Sequence, residues 1–136
     1  MKTPEKFARS ACAIANTLDL VGDKWSLLVV RDLLHGKRTY GELAASPEHI
    51  PTNILADRLK KMEASGLIEA KPYQERPVRY RYALTEKGRD LGSVLAALAG
   101  WGKKHVRGTV VAPEFRRERR SAPRSSGPAR GRAGSR

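Results

Sequence analysis

The sequence holds one cysteine and three histidines among its 136 residues. A single cysteine excludes an internal disulfide framework and suits a reducing compartment. The histidines, at positions 35, 49 and 105, lack the spacing of a zinc site. Glycine-rich phosphate loops, nucleophile motifs and paired catalytic carboxylates are missing as well. We therefore expect no enzyme activity, no metal site and no cofactor.

Long apolar runs are missing too. No stretch approaches the roughly 18 consecutive apolar residues that a membrane span requires. The first residues show no apolar segment typical of a secretion signal. Together with the single cysteine, these absences predict a cytoplasmic protein with no membrane partner.

Acidic residues are outnumbered, since 14 Asp and Glu face 27 Lys and Arg for a formal net charge of +13. Residues 112–136 carry eight arginines and two glutamates, a net of +6, which leaves +7 on residues 1–111. The segment 112–136 has almost no large apolar side chains, so we expect a disordered basic tail after a single domain at 1–111. Positive charge of this size favours a polyanionic partner.

Residues 39–66 show the pattern of two consecutive helices. Thr39 followed by Glu42 predicts a capping box, in which each side chain bonds the backbone amide of the other residue. The helix that it opens must stop before Pro47, because proline disfavours helical geometry in the preceding residue. A second helix is predicted at about residues 52–65, with one apolar face formed by Leu55, Leu59 and Met62. Gly66 follows directly and is expected to end the helix.

Two strands joined by a short turn are predicted at about residues 67–84. The second strand alternates strictly, so aromatic and aliphatic side chains share one face while Arg79 and Arg81 share the other. Arg76 lies in the turn. A helix pair followed by a basic hairpin is the outline of a winged helix-turn-helix, which offers one helix to the major groove of DNA and a basic wing to the flanking backbone.

Further helices complete a fold that is mainly α with a small β-hairpin (α+β). The first ends at Gly22, and the second, capped by Asp23, is apolar almost all round and is therefore expected at the centre of the core. Thr85 caps a long final helix with one apolar side.

Several ordered blocks of the sequence resemble the HxlR-type transcriptional regulators, bacterial winged-helix proteins related to MarR. The blocks span residues 10–106 and include Asp23-Lys24-Trp25, Leu33-Leu34-His35-Gly36, Tyr40-Gly41-Glu42-Leu43 and Tyr80-Arg81-Tyr82-Ala83-Leu84. The resemblance implies a homodimeric, sequence-specific DNA-binding regulator, located on the nucleoid when it is bound.

The same resemblance draws attention to Cys12, because some members of the family sense oxidants or electrophiles through a cysteine at the matching position. Arg9, one turn upstream, is a cation that would favour the reactive thiolate. An oxidant or small-molecule effector therefore joins the expected partners. The alternative is a buried and inert thiol, since two alanines and an isoleucine follow.

The predicted DNA contacts fall into three groups. The start of the second helix in the pair is expected to read base edges, through Thr52, Asn53, Ala56 and Asp57. Phosphate contacts are assigned to basic residues of the same helix and of the wing, at Lys60, Lys61, Arg76 and Arg79. Contacts with the DNA backbone are also assigned to the start of the first helix in the pair, at Arg38, Thr39 and Tyr40.

Each of these residues has a structural alternative. A solvated surface explains most of them, Tyr40 is also suited to packing beneath the second helix, and Arg81 is suited to pairing with an acidic side chain. Two rival functions follow from the alternatives. One is a non-specific basic protein that coats nucleic acid, and the other is a winged helix that contacts only proteins.

The terminal helices are predicted to form a two-fold dimer. The final helix carries more apolar surface than one terminal helix usually buries, and its glycines allow another backbone to approach. The interface residues are Ile14, Leu18, Leu91, Val94, Leu95, Leu98 and Trp101. Such a dimer would hold its recognition helices about 34 Å apart on a palindromic operator. Repression is the expected regulatory mode, and activation is the alternative. The alternative to the dimer is that Trp101 and its neighbours cover the core of their own chain.

Overall fold

The computed structural model describes residues 7–112, so the predicted tail lies outside the described residues apart from Ala112. The helices and strands there are α1 Ala13–Val21, α2 Ser26–Leu34, α3 Tyr40–Ala44, α4 Thr52–Ala64, β1 Ile68–Glu75, β2 Val78–Leu84, α5 Glu86–Arg89 and α6 Gly92–His105. They divide into two compact units, one ending at Arg89 and the other beginning at Asp90. The single domain over 1–111 stays a prediction.

The first unit is built around α2. Asp23 supplies the predicted cap: its carboxylate accepts hydrogen bonds from the amides of Trp25 and Ser26, both at 3.0 Å, and from the Ser26 hydroxyl at 2.6 Å. Burial raises the pKa of Asp23, but these hydrogen bonds outweigh it and hold the pKa below 3.8. Val29, Val30 and Leu33 are buried. The prediction that this helix forms the centre of the core is confirmed.

The helix-turn-helix consists of α3 and α4. The capping box is present, with the Glu42 amide donating to Thr39 Oγ1 at 3.2 Å and the Thr39 amide donating to Glu42 at 3.1 Å. The helix α4 begins after Pro51 without a side-chain cap. Its predicted inner face is confirmed, since Leu55, Leu59 and Met62 are at most 3% exposed. Gly66 ends the segment with a φ of 81°, a left-handed conformation that favours glycine.

The strands β1 and β2 form the wing. They pair antiparallel from Ile68 opposite Leu84 outward, with an irregularity between Pro72 and Gln74. A third short element joins the other edge of β2, because the Tyr82 amide donates to the Arg38 carbonyl at 2.7 Å and Thr39 forms a bridge with Arg81. The sequence analysis missed this element, since two residues are too few to show a strand pattern.

The predicted long final helix is wrong, because the structure divides it into α5 and α6. Thr85 caps only α5, accepting from the Gly88 amide at 3.1 Å. Gly88 packs so closely that a Cβ there would lie 2.2 Å from the Leu67 carbonyl oxygen. Leu91 consequently lies just before α6 and not within a continuous helix. Glycines at 88 and 92 flank the break, where their low helix propensity makes an interruption inexpensive.

Candidate nucleic-acid interface

The start of α4 presents an exposed face without internal partners. Thr52, Asn53, Ala56 and Lys60 are all exposed. Among residues 7–112, the side chains of Thr52, Asn53 and Lys60 form no hydrogen bond or ion pair. This face begins at the N-terminal end of α4, directly after Pro51. Its free amide, hydroxyl and ammonium groups can contact another molecule.

Asp57 and Lys61 differ from that face because they engage each other. Asp57 Oδ2 lies 2.8 Å from Arg58 Nη2 and 3.4 Å from Lys61 Nζ. Arg58 extends further to Asp23 Oδ1 at 3.6 Å. The negative charge of Asp57 is therefore balanced within the protein, which reduces its repulsion of phosphates and also occupies one acceptor oxygen. Base contact by Asp57 and phosphate contact by Lys61 stay predictions.

The wing separates two kinds of arginine. The side chains of Arg76 and Arg79 are exposed and form no hydrogen bond or ion pair within the described part of the chain. Arg81 instead stacks its guanidinium 4.7 Å from the ring centroid of Tyr73. Arg81 therefore interacts with an aromatic ring, and not with the acidic side chain that the sequence analysis gave as its alternative partner.

The segment 38–40 has internal partners for every side chain. Arg38 Nη1 donates to the carbonyls of Leu33 and Lys37 at 3.1 and 2.9 Å, at the end of α2. Thr39 caps α3, and the Tyr40 hydroxyl donates to the Thr52 carbonyl at 2.8 Å. Hydrogen bonds from the amides of Arg38 and Thr39 hold the pKa of Glu42 below 4.5. The DNA contacts assigned to this segment stay predictions.

A charged network that the sequence analysis missed fixes the turn between α3 and α4. Arg31 donates to both carboxylate oxygens of Glu48 at 2.8 Å and to Asp32 at 3.0 Å. Asp32 and Ser46 are buried and hydrogen-bonded to each other, and Lys37 donates to Ser46 at 3.2 Å. The available signal was the Arg-Asp pair in the middle of the apolar helix α2, because buried charges require partners.

Cys12 is exposed and immediately precedes α1, so the alternative of a buried thiol is wrong. The cation expected beside it is engaged elsewhere, since Arg9 Nη2 lies 2.8 Å from Asp19 Oδ1. The structure therefore shows solvent access for the thiol, while Arg9 binds a carboxylate. A sensing role for Cys12 stays a prediction.

The predicted dimer residues differ in exposure. In α1, Ile14 and Leu18 are 71% and 53% exposed. In the second unit, the values are 36% for Val94, 53% for Leu98 and 64% for Trp101. Leu95 is only 8% exposed, so its surface is already covered in the single chain and it has little left for a partner.

Comparison with known proteins identifies the family to which this chain belongs. A family model described as HxlR-like helix-turn-helix matches residues 20–109. The chain belongs to the HxlR-like helix-turn-helix family. The predicted resemblance is confirmed.

Relatives of this HxlR-like chain include an uncharacterised HTH-type transcriptional regulator of Mycobacterium tuberculosis. It is 37% identical over 94 residues, which cover 69% of this chain and 59% of the relative. The chain thus spans less than two thirds of that relative's length.

Two similar structures are regulators from Bacillus subtilis. The HTH-type transcriptional regulator YtcD gives a TM-score of 0.64 at 33% identity, covering 70% of this chain and 97% of YtcD. The reduced form of the transcriptional regulator YodB gives 0.60 at 28% identity, covering 73% and 98%. The winged helix-turn-helix fold predicted from the sequence is confirmed.

No helix among residues 7–112 is long and apolar enough to cross a membrane. In the same range, no group of three or more His, Cys, Asp and Glu side chains is arranged to hold a metal ion.

Proposed function

We propose that this chain is a sequence-specific DNA-binding transcriptional regulator that acts as a homodimer. The observation that carries the proposal is the exposed, unpartnered face at the start of α4, displayed by a winged helix-turn-helix of the HxlR-like family. In this proposal α4 enters the major groove, and the wing lies on the adjacent minor groove and phosphates.

The chemistry of the α4 face suits base reading. An asparagine can pair with both N6 and N7 of adenine, and the methyl groups of Thr52 and Ala56 suit the methyl of thymine. The polar side chains of this face have no hydrogen-bond partner within the described residues. Binding to a base therefore breaks no hydrogen bond within the protein. Lys60, which follows on the same face, is placed for a phosphate.

The wing adds affinity that does not depend on sequence. Arg76 and Arg79 are free to release counterions from DNA when they approach its backbone. Arg81, stacked on Tyr73, belongs to the root of the wing. In this proposal, Arg76 and Arg79 near the tip of the wing are the two arginines that contact the DNA backbone.

A homodimer on a palindromic operator accounts for the exposed apolar side chains of α1 and α6. Ile14, Leu18, Leu98 and Trp101 are each more than half exposed, and several such residues on a monomer indicate an association surface. We further propose repression as the regulatory mode, since a dimer bound across an operator blocks access to that DNA.

An oxidant is the effector that the exposed thiol of Cys12 favours. An accessible thiol can be oxidised reversibly, and with one cysteine per chain any disulfide would join two chains or a small thiol. The similarity to YodB, solved in a reduced form, supports this part of the proposal.

The test is selection of duplexes from a random library, followed by mobility-shift titration of the selected site against a scrambled duplex of equal length. We expect a palindromic consensus and a preference of about 10³-fold or more over the scrambled duplex. Equal affinity for both duplexes would establish the second candidate, a basic nucleic-acid-coating protein, which the net charge of +13 favours. Absence of binding to either duplex would leave a protein-contacting winged helix.

A further inference from the structure

Residues 38–40 connect the two elements that the proposed function places on DNA. On one side, the Arg38 carbonyl accepts from the Tyr82 amide of β2 at 2.7 Å. On the other side, the Tyr40 hydroxyl donates to the carbonyl of Thr52, the first residue of α4, at 2.8 Å. A segment of three residues therefore holds both the wing and the start of the recognition helix.

The start of α4 has no side-chain cap of its own. Pro51 occupies the N-cap position and offers no side-chain acceptor. Within residues 7–112, the Tyr40 hydroxyl makes the one side-chain hydrogen bond that reaches the first turn of α4. The bond does not satisfy the free amides of the first turn, because it is donated to a carbonyl, but it ties the backbone of Thr52 to the Tyr40 side chain.

The aromatic ring aims the hydroxyl. Tyr40 is half-buried and lines two adjoining grooves, of about 480 and 350 Å³, together with Tyr80 and Tyr82 of the wing. The ring therefore borders open grooves that residues of α4 and β2 line, while its hydroxyl is bonded to the Thr52 carbonyl. Removing the hydroxyl alone would leave the ring in place and break only this bond.

We infer that Tyr40 is a positioning residue for DNA recognition, and that it acts through α4 without touching DNA. Its hydroxyl holds the Thr52 backbone so that Thr52 and Asn53 meet base edges at one angle. Base contacts depend on such alignment, whereas phosphate contacts through flexible lysine and arginine side chains tolerate small displacements. Loss of the hydroxyl should therefore reduce specificity more than general affinity. The inference rests on the proposed function for its consequence on DNA, and on the Tyr40–Thr52 contact for its mechanism.

The experiment compares Tyr40→Phe with the parent protein and with Tyr82→Phe. Tyr82 is the matched control because it is also half-buried beside the same groove, but its hydroxyl forms no hydrogen bond within the described residues. For each protein we would measure affinity for the selected operator and for scrambled duplex, the thermal midpoint, and amide exchange at Leu55. The Leu55 amide donates to the Pro51 carbonyl at 2.8 Å and reports on the first turn of α4.

For Tyr40→Phe we expect about fivefold weaker operator binding, the effect of one neutral hydrogen bond, with unchanged affinity for scrambled duplex and a thermal midpoint lowered by a few degrees. Amide exchange at Leu55 should accelerate severalfold. Tyr82→Phe should match the parent in all four measurements.

Three outcomes would overturn the inference. Equal weakening on both duplexes would make Tyr40 a phosphate contact, and unchanged operator binding would leave its hydroxyl without a role in recognition. Unchanged exchange at Leu55 would show that the hydroxyl does not hold α4. If the parent protein itself shows no duplex preference, the proposed function fails, while the exchange measurement still decides whether Tyr40 holds the helix.

Discussion

Asn53 is the residue on which specificity depends most directly in the proposed complex. It lies in the first turn of α4, exposed and without an internal partner among the described residues. Asp57, one turn later, is held by Arg58 and Lys61. At the scale of single residues, the recognition face therefore consists of free groups at the helix start and balanced charges behind them.

Substitution of Asn53 by alanine should relax the preference at one base pair by about 1–3 kcal/mol. The fold should be unaffected, because the side chain is exposed and its loss creates no cavity. Mobility-shift titrations on the selected operator, on operators changed at single positions and on scrambled duplex provide the measurement. A uniform loss of affinity on all duplexes would mean that Asn53 only contacts the backbone.

Glu48 gives the protein a defined response to acid. Arg31 donates two hydrogen bonds to its carboxylate and holds the pKa of Glu48 below its ordinary value of 4.5. Because the folded-state pKa is lowered, the stabilisation is fully present above pH 4.5 and is lost as pH falls through the folded-state value. The pair is partly exposed, so its contribution is about 1 kcal/mol or less.

We therefore expect Glu48→Gln to lower the urea midpoint at pH 7 and to lower it by less near pH 3. The control is Glu69→Gln, since Glu69 lies on the exposed wing with its cation partner, Lys71, 3.8 Å away. Urea titrations of the parent and both variants at the two pH values make the comparison. An equal loss for Glu48→Gln at both pH values would contradict an electrostatic role for the Arg31–Glu48 pair.

At the scale of elements, the wing combines a packed root with a charged tip. Ile68 is buried and Leu84 half-buried at the root, whereas residues 71–81 are exposed throughout. On this side of the wing, β2 is tied to the segment before α3 by the Arg38 carbonyl and the Thr39 bridge. The tip can therefore contact DNA while the root keeps its position.

Replacing Arg76 or Arg79 by alanine should weaken binding to all duplexes and reduce the log–log salt slope by about one unit each. The reason is that each arginine is expected to displace about one counterion from DNA. Titrations between low and moderate salt, on operator and scrambled duplex, measure the slope.

Lys24→Ala is the charge-matched control for the wing variants. Lys24 is exposed and adjacent to Asp23, which contacts Arg58 in the middle of α4, about two turns from Thr52. Its slope should equal that of the parent. Parental slopes in both wing variants would show that the wing does not contact phosphates.

At the scale of the whole molecule, exposed apolar side chains are the basis of the proposed dimer. Ile14 and Leu18 project from α1, and Val94, Leu98 and Trp101 from α6, while Leu95 is already covered. Full exposure of this much apolar surface would be unfavourable in water. A dimer would bury it and would present two recognition helices to one palindrome.

Substitution of Leu98 by glutamate should convert the parent dimer to a monomer at micromolar concentration and abolish preference for the palindrome over a half-site. A buried, unpaired charge in the interface is the physical cause. Multi-angle light scattering measures the mass. Val110→Glu is the control, because Val110 is 88% exposed and the same change there should leave the dimer intact. A dimeric Leu98→Glu protein with normal operator binding would place the interface elsewhere.

The amino-acid sequence by itself determined the local structure of the helix-turn-helix. The Thr39–Glu42 capping box, the buried stripe of Leu55, Leu59 and Met62, and the stop at Gly66 all appear in the structure where the sequence predicted them. Each depends on residues three or four positions apart or on one backbone conformation, so the pattern along the chain contains the necessary information.

Only the tertiary structure decided which distant groups meet. The Tyr40–Thr52 hydrogen bond, the Arg31–Glu48 pair and the Arg9–Asp19 pair join residues 10 to 17 positions apart. The break between α5 and α6 likewise lies beside the close packing of Gly88 against Leu67. The short element next to β2 is held by the hydrogen bond from the Tyr82 amide to the Arg38 carbonyl. Long polar side chains have many partners within reach, and the choice among them depends on how the backbone folds. Sequence spacing therefore predicted the bounds and the buried face of α4, while the folded structure determined which distant residues contact it.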